Sequence, residues 1–262
     1  MSDICAAVVA ATRDTVTGDG LAGLQAAVRL ADPSGVALAT AFVDALADKT
    51  PAADALIAVA AAADRSGVEN AFHNPAHSRE VAIDWWLLAR MQGVVGPLGL
   101  IAAFGHDLGH DGVSPADAPP YRLEALAATA TTDIMRDAGV GEQDRAAVAA
   151  MILATDVSEG YAQLAGHGAI DPRFAPFENA ATLAAARLLR DADLMPSAGT
   201  SIEAYHARTA ELECELRLPL GGLSGAAAAA FFDRVVERHW LSPAAQIFAP
   251  TLAKIALAAT GR

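Results

Sequence analysis

The 262-residue chain has few residues of several types, and each scarcity limits what it can be. It has only two cysteines, Cys5 and Cys214, in no metal-ligand spacing, which argues against a disulfide scaffold and predicts a reducing, cytoplasmic setting. Aromatic residues make up 5% of the chain, whereas its 53% hydrophobic content is largely alanine. Because alanine is the best helix former, a helical protein is expected.

Basic residues are also few, since 18 Lys and Arg stand against 31 Asp and Glu, for a net charge of −13. Such a field repels a phosphate backbone, so no nucleic-acid polymer is expected as a partner. A small phosphate ester is compatible with it, because bound cations can reverse the local sign of the field. The longest apolar run, 94–104, contains Gly and Pro and is too short for a bilayer, so no membrane association is expected.

Hydrophobic periodicity indicates helices along nearly the whole chain, and no stretch alternates with a period of two for long enough to predict a sheet. Helix breaks are predicted where Gly and Pro cluster, at 32–35, 93–97, 112–120, 166–176 and 219–225. None resembles an interdomain linker, so we expect one all-α domain spanning 1–262. Its predicted parts are N-terminal helices (1–65), a metal-binding core (66–200) and C-terminal helices that complete the pocket (201–262).

The segment 104–112 concentrates ionisable groups after an apolar run. We interpret it as a helix end in which His106 and His110 share one face and Asp107 lies beside them. Imidazole nitrogen and carboxylate oxygen suit Zn²⁺, Mn²⁺ or Fe. A solvated polar helix end is the alternative for this segment taken alone.

A second histidine pair lies at a predicted helix start. Asn74 is a good N-cap and Pro75 suits the first helical position, which places His77 in the first turn on the same inward stripe as Val81. His73 precedes the helix, where a loop residue can face a cleft. One buried ligand and one neighbouring general acid fit this pair, and a surface loop histidine is the alternative for His73.

Carboxylates follow two further apolar runs. We expect Asp193, at the predicted end of a buried helix, to be the fourth metal ligand. Asp191 is the alternative ligand, and Asp193 is preferred. The apolar helix before residue 154 ends in a hydroxyl and a carboxylate, Thr155 and Asp156.

Together these groups resemble a known metal signature. The order His77, His106-Asp107, Asp193 resembles the H…HD…D pattern of HD-domain phosphohydrolases. The flanking residues are similar to four motifs of the class I cyclic-nucleotide phosphodiesterase catalytic domain: Phe72-His73-Asn74-x-x-His77, His106-Asp107-x-x-His110-x-Gly112, Leu153-Ala154-Thr155-Asp156 and Ala192-Asp193-Leu194.

The resemblance implies an all-α, HD-domain or phosphodiesterase-like helical bundle around a dinuclear metal site. It implies that His77, His106, Asp107 and Asp193 hold a tightly bound ion, usually zinc. Asp107 would bridge to a second, looser ion such as magnesium or manganese, a bridging water or hydroxide would attack phosphorus, and His73 would be the general acid. The residues implied around the second metal are His110, Glu124, Thr155 and Asp156.

The chain departs from the family pattern in several places. Phe72 replaces a tyrosine, Glu80 stands where the family has aspartate, and Asp111 replaces a proline. Gln246 and Phe248 resemble the glutamine and phenylalanine of purine-selective members, with one residue fewer between them. Since one residue turns a helical side chain by roughly 100°, both cannot keep those roles.

Phe72, Gln246 and Phe248 are therefore tentative substrate-binding residues, and packing at a helix start is the alternative for Gln246 and Phe248. We expect a metal-dependent phosphoric diester hydrolase with two divalent ions (Zn, Mn, Fe or Mg) that acts on a 3′,5′-cyclic nucleotide, cAMP or cGMP, or a related small phosphodiester.

Three alternatives to this function remain. One is a nucleotidase or phosphomonoesterase of the HD type. Another is a diiron oxygenase on the same fold, for which His167 and His206 are the spare ligands. The third is a non-catalytic metal-binding or interaction module. A homodimer is left open.

Overall fold

Helices make up the regular structure of the residues that the computed structural model describes, which are 3–12, 18–111, 119–157, 159–166, 171–237 and 239–260. No strand occurs within these ranges, so the predicted all-α class is confirmed. None of the helices found there has both the length and the apolar character needed to cross a membrane.

The α-helices, in chain order, are α1 (Asp3–Ala10), α2 (Gly18–Ala31), α3 (Gly35–Leu46), α4 (Pro51–Ala63), α5 (Pro75–Gln92), α6 (Pro97–Gly105), α7 (Arg122–Asp137), α8 (Glu142–Leu153), α9 (Gly160–Ala165), α10 (Ala180–Ala198), α11 (Ile202–Glu215), α12 (Ala226–Ala230) and α13 (Ala249–Thr260). Two 3₁₀ helices, Pro172–Glu178 and Ala244–Phe248, and a π-helical turn, Phe231–Val235, complete the regular elements.

Three helices, α5, α6 and α10, pack against one another and form the framework of the site. Trp85 of α5 is buried between the other two, and its Nε1 donates a hydrogen bond to the carbonyl of Ala185 on α10 (3.2 Å). Gly99 of α6 lies against the Trp85 ring so closely that a Cβ there would be 1.9 Å from it. The close approach of α5 and α6 therefore depends on the missing side chain at Gly99.

Polar contacts fasten the N-terminal helices to α5. Arg29 of α2 forms a bidentate ion pair with Glu80. One turn further along α5, Asp84 accepts a hydrogen bond from Gln25 Nε2 (2.7 Å). Glu80 and Asp84 are both buried. Helix α2 thus contacts the same helix that carries His77.

Helix α10 is joined to the C-terminal part of the chain by a buried ion pair. Arg190 donates hydrogen bonds to three backbone carbonyls within 235–239 at 2.8–3.2 Å. Asp191 accepts from the backbone N–H groups of Leu241 (3.0 Å) and Ser242 (2.7 Å). Both carboxylate oxygens of Asp191 are committed to these contacts and to Arg190, which argues for a structural role.

Candidate metal centre and adjoining cavity

The first turn of α5 fixes His77. Asn74 caps the helix as predicted, because its Oδ1 accepts from the backbone N–H groups of Ala76 (2.9 Å) and His77 (3.2 Å). His77 is 1% exposed. The predicted inward direction of this histidine is therefore confirmed.

His106 follows the last residue of α6 and faces His77. Its Nδ1 lies 2.8 Å from the carbonyl oxygen of Ala103, so a proton on Nδ1 donates to that oxygen and leaves Nε2 as an acceptor. The Nε2 atoms of His106 and His77 are 3.4 Å apart. Metal-binding histidines are commonly oriented by such a contact on the second ring nitrogen.

The segment 104–112 closes an apolar helix as predicted, but the expectation that His106 and His110 share one helical face is wrong. Helix α6 ends at Gly105, and the chain continues through turns in which Gly109 adopts φ 82°. A left-handed residue redirects the backbone, which glycine permits at little cost. The two histidines consequently belong to different parts of the site.

Two carboxylates approach both imidazole nitrogens. Asp107 Oδ2 lies 3.1 Å from His106 Nε2 and 3.5 Å from His77 Nε2. Asp193 Oδ1 lies 3.2 Å from His77 Nε2 and 3.5 Å from His106 Nε2. The expectation that Asp193 ends a helix is wrong, because α10 continues to Ala198 with a proline inside it. The structure nevertheless brings all four expected ligands together.

The donor set of this group fits a divalent cation. Oδ2 of Asp107 is buried and has no hydrogen-bond partner, although two imidazole nitrogens lie within 3.5 Å of it. One ligand atom each of His77, His106 and Asp193 lie within 4.8 Å of one another. Burial raises the pKa of Asp193, but the polar contacts of its carboxylate with the imidazoles of His106 and His77 outweigh the effect of burial and hold the pKa below its usual range. Imidazoles and carboxylates converging in this way suit zinc, manganese or iron.

Glu124 lies near other carboxylates of the site. Burial raises the pKa of Glu124 to about 7, and the charges of Asp156, Asp107 and Asp193 add to the rise. Carboxylates that raise one another's pKa gain from a cation placed among them. This acidic surrounding fits the expected second ion.

Thr155 and Asp156 follow α8 as predicted, and the side chains of both form hydrogen bonds with the backbone. The Thr155 hydroxyl donates to the carbonyl of Ile152 (2.7 Å). Asp156 Oδ1 accepts from the backbone N–H of Glu159 (2.7 Å), and its Oδ2 accepts from that of Tyr121 (3.1 Å). These contacts fix Asp156 beside the first residues of α7, the helix that carries Glu124.

Sequence reasoning missed Glu215, which holds His73. Glu215, at the end of α11, contacts His73 Nδ1 at 2.5 Å through Oε1. Its Oε2 accepts from the backbone N–H groups of Phe72 (2.8 Å) and His73 (3.0 Å). Burial opposes the charged form of His73, but the charges of Asp107 and Glu215 and the hydrogen bond to Glu215 outweigh it and raise its pKa.

His110 stacks on His73 instead of facing His106. The two rings are 3.9 Å apart and nearly parallel, at 17°. His73, His110 and Glu215 form a second group of close ligand atoms. Because nitrogen lone pairs lie in the ring plane, parallel rings do not direct them at a common point, so this group is a poorer chelate than the first. Burial and the neighbouring His73 lower the pKa of His110.

A cavity of about 260 Å³ opens beside Asp193 and His73. Its walls are mostly apolar and come from α10, α11 and the 223–231 segment. Phe72 lines it, with its ring centroid 4.8 Å from that of His73. A small-molecule site commonly has this form, an apolar cleft with a few convergent polar groups.

The tentative residues Gln246 and Phe248 lie elsewhere in the structure. They belong to the 3₁₀ helix before α13, where Phe248 is buried and Gln246 is exposed. Gln246 Nε2 donates to the carbonyl of Trp240 (2.7 Å). Neither residue is among those that line the cavity beside His73, which favours the alternative that both pack at a helix start.

Of the spare histidines considered for a diiron oxygenase, His206 is exposed on α11 and lines a different cavity. His167 lies outside the described residues. His206 adds no ligand to the group around His77.

Comparisons of the whole chain find a known fold. No family model matches the sequence, and no curated protein matches it. The structure is similar to the phosphodiesterase domain of the RhoPDE fusion protein from the choanoflagellate Salpingoeca rosetta, at 20% identity and a TM-score of 0.61, over 87% of this chain and 89% of that chain.

A second structure of a phosphodiesterase domain, that of the Salpingoeca rosetta rhodopsin phosphodiesterase, gives 20% identity and a TM-score of 0.62 over 87% of each chain. Yeast caPDE2 gives 17% identity and a TM-score of 0.57 over 80% of this chain and 59% of that chain. The chain therefore has the helical fold of phosphodiesterase domains.

Proposed function

We propose that this protein is a metal-dependent phosphodiesterase that hydrolyses a small phosphodiester, with a 3′,5′-cyclic nucleotide as the favoured substrate. The observation that carries the proposal is the convergence of two imidazole Nε2 atoms and two carboxylates beside a histidine–glutamate pair. The likeness in fold to phosphodiesterase domains supports it.

His77, His106, Asp107 and Asp193 would hold one divalent ion, and Asp107 would share a second with the groups around Glu124. Zinc, manganese, iron and magnesium are the candidates. Bound there, such ions supply Lewis-acid activation of the phosphoryl group and of an attacking water. The chain itself contributes the four ligands at fixed distances and the acidic surroundings that favour cations.

His73 would deliver a proton to the leaving group. Because Glu215 contacts Nδ1, the Nε2–H of the protonated ring remains to donate the proton, and His73 lines the cavity. Water adds to phosphorus and releases one proton to the solvent, the bond from phosphorus to the leaving oxygen breaks, and His73 protonates that oxygen so that it departs as a hydroxyl. With a cyclic nucleotide, the product would be the nucleoside monophosphate.

Hydrolysis by the purified protein tests the proposal. The protein is stripped of metal, reloaded with Zn²⁺, Mn²⁺, Fe²⁺ or Mg²⁺, and assayed with cAMP, cGMP, bis(4-nitrophenyl) phosphate, a 5′-nucleoside monophosphate and an aryl monoester. His73→Ala and Asp107→Ala remove the acid and a ligand. His206→Ala is the matched control, because His206 is an exposed histidine outside the site.

Turnover of diesters that is lost in His73→Ala and Asp107→Ala but kept in His206→Ala supports the proposal. Turnover of monoesters alone would replace it with a phosphomonoesterase or nucleotidase. No turnover with any metal would contradict it, and visible absorption of the iron-loaded protein would then test for a diiron oxygenase. Light scattering of the same preparation determines whether the protein is a homodimer.

A further inference from the structure

Tyr161 is a buried polar residue that the proposed mechanism does not use. It belongs to α9 and is 7% exposed, and its hydroxyl is buried without a hydrogen-bond partner. A buried hydroxyl without a partner lowers stability, and in native proteins such groups are rare. The hydroxyl of Tyr161 is therefore a donor for which the folded chain alone gives no use.

The backbone of Tyr161 is fixed at the start of α9. Its N–H donates to the carbonyl of Asp156 (3.2 Å). The residue before it, Gly160, approaches the end of α8 so closely that a Cβ there would lie 2.7 Å from the carbonyl oxygen of Leu153. The start of α9 thus rests directly on the segment that follows α8, and this contact sets the position of the tyrosine.

The ring of Tyr161 lies against the helix that carries Asp193. Helix α9 packs on α10, and the Arg190 guanidinium lies over the Tyr161 ring, 4.8 Å from its centroid. Arg190 and Asp193 are three residues apart in α10, so they are neighbours on its surface. Burial raises the pKa of Tyr161, and the charge of Asp193 adds more to the rise than that of Asp191 or Asp156. The packing and the charges together place the phenol near the Asp193 carboxylate.

The Asp193 carboxylate can accept a hydrogen bond from such a donor. Its contacts with the Nε2 atoms of His77 and His106 use Oδ1, which leaves Oδ2 to another donor. Carboxylates that bind a metal ion are commonly hydrogen-bonded in turn by an outer group, which fixes their orientation. A phenol supplies one such O–H donor.

We infer that Tyr161 is a positioning residue of the proposed metal centre, and that its hydroxyl donates a hydrogen bond to the Asp193 carboxylate when an ion is bound. The inference rests on the proposed function, because it requires an ion at the group around His77. Since the hydroxyl has no partner in the structure, this hydrogen bond belongs to metal binding and not to folding. Tyr161 therefore affects the ion through Asp193 without being a ligand itself.

Metal affinity and the stability of the metal-free protein test this role without any turnover. Tyr161→Phe keeps the ring and removes only the hydroxyl. We expect the variant to bind Zn²⁺ and Mn²⁺ about 10- to 100-fold more weakly, the loss typical of an outer contact to a ligand. The urea midpoint of the metal-free variant should equal or exceed that of wild type, because the hydroxyl it loses is unpaired. Equilibrium dialysis of stripped protein measures the affinity, and urea unfolding with a chelator present measures the stability.

Tyr121→Phe is the matched control. Tyr121 is 6% exposed and also has an arginine over its ring, since the Arg173 guanidinium lies 4.3 Å from the ring centroid. It precedes α7 and has no contact with α10 through that arginine. This variant should keep the wild-type affinity for Zn²⁺ and Mn²⁺.

Wild-type metal affinity in Tyr161→Phe overturns the inference and leaves the proposed function standing. A lowered urea midpoint of the metal-free variant overturns it as well, since the hydroxyl would then support the fold. So does an equal loss of affinity in Tyr121→Phe. Weakened binding of Mg²⁺ alone would assign the hydroxyl to the second ion and overturn the role of Asp193 as acceptor. Absence of tight metal binding by wild type would overturn the inference together with the proposed metal centre.

Discussion

Glu215 contacts His73 at both its backbone and its side chain. One carboxylate oxygen accepts the backbone N–H of His73 at 3.0 Å, and the other lies 2.5 Å from Nδ1 of the same residue. The carboxylate thereby fixes the position and the orientation of the ring. Glu215 acts on the reaction through His73 and is a positioning residue.

Replacing Glu215 by alanine should lower kcat by about 10- to 100-fold, a size typical of residues that orient an active group. Because Glu215 works through His73, Glu215→Ala should lower kcat little further in a protein in which His73 is already alanine. The measurement is kcat for the two single variants and the double variant with an activated aryl diester. Losses that multiply in the double variant would contradict a shared role. Glu203→Ala, an exposed glutamate on the same helix, is the control.

Asp191 and Asp193 are two residues apart, but substitution by asparagine should affect metal binding at Asp193 and stability at Asp191. Asp193→Asn should weaken metal binding by more than the roughly 10- to 100-fold typical of an outer contact, because it removes a ligand. Asp191→Asn should instead lower the free energy of unfolding of the metal-free protein by about 3 kcal/mol, since it breaks a buried ion pair. Equilibrium dialysis and urea unfolding measure the two quantities, and a metal-binding loss confined to Asp191→Asn would reverse the assignment.

Asp84 should make stability depend on pH. Burial raises the pKa of Asp84 well above its usual range, although the hydrogen bond from Gln25 opposes the rise. The folded state therefore holds this proton more tightly than the unfolded state, whose pKa is about 3.9. The contribution of Asp84 to the free energy of unfolding consequently falls as pH rises from the unfolded pKa through the folded pKa.

Asp84→Asn removes that titration. The free energy of unfolding of the variant minus that of wild type should therefore increase as pH rises from about 4 to about 8. Urea unfolding at several pH values measures this difference in the free energy of unfolding. A difference that stays constant with pH would show that Asp84 does not titrate in this range. Asp44→Asn, at an exposed position on α3, is the matched control.

Two glycines should give changes in stability of opposite sign. Gly99→Ala places a Cβ against the Trp85 ring and should lower the free energy of unfolding by about 1–3 kcal/mol. Gly23 is exposed in the middle of α2, and a Cβ added there would meet no atom within 4 Å. Gly23→Ala should therefore raise the free energy of unfolding by about 0.5–1 kcal/mol. Thermal and urea unfolding check both, and equal effects would argue against the close packing of α5 and α6.

Local sequence signals predicted much of the fold and the group of side chains around His77. The Asn74 cap and the following proline predicted the start of α5 because capping depends on neighbours in the chain. His77, His106, Asp107 and Asp193 were identified because their order resembles a known signature. The domain boundaries within 1–262 and the metal-binding roles of these residues stay predictions.

Long-range pairing could not be predicted from one sequence. Glu215 lies 142 residues from His73, and nothing near it in the chain marks it as a partner. Arg208 of α11 likewise lines the cavity beside His73 only because α11 packs beside α10. Asp193 was placed at a helix end because its segment follows the apolar run 183–189, but α10 continues past Asp193 to Ala198 and includes Pro196. Such contacts depend on tertiary packing, which local sequence does not record.

The contacts of α10 with the C-terminal segment also set the rotation of that helix about its axis. Residues two apart are separated by about 200° around a helix, so Asp193 faces His77 and His106 while Asp191 faces 241–242. A helical side chain extends about 5–6 Å from the axis, so a rotation of about 10° would displace the Asp193 carboxylate by about 1 Å. Since an error of about 1 Å can cost a factor of about 100 in rate, the contacts of Arg190 and Asp191 matter for the alignment of the Asp193 carboxylate, which neither side chain touches.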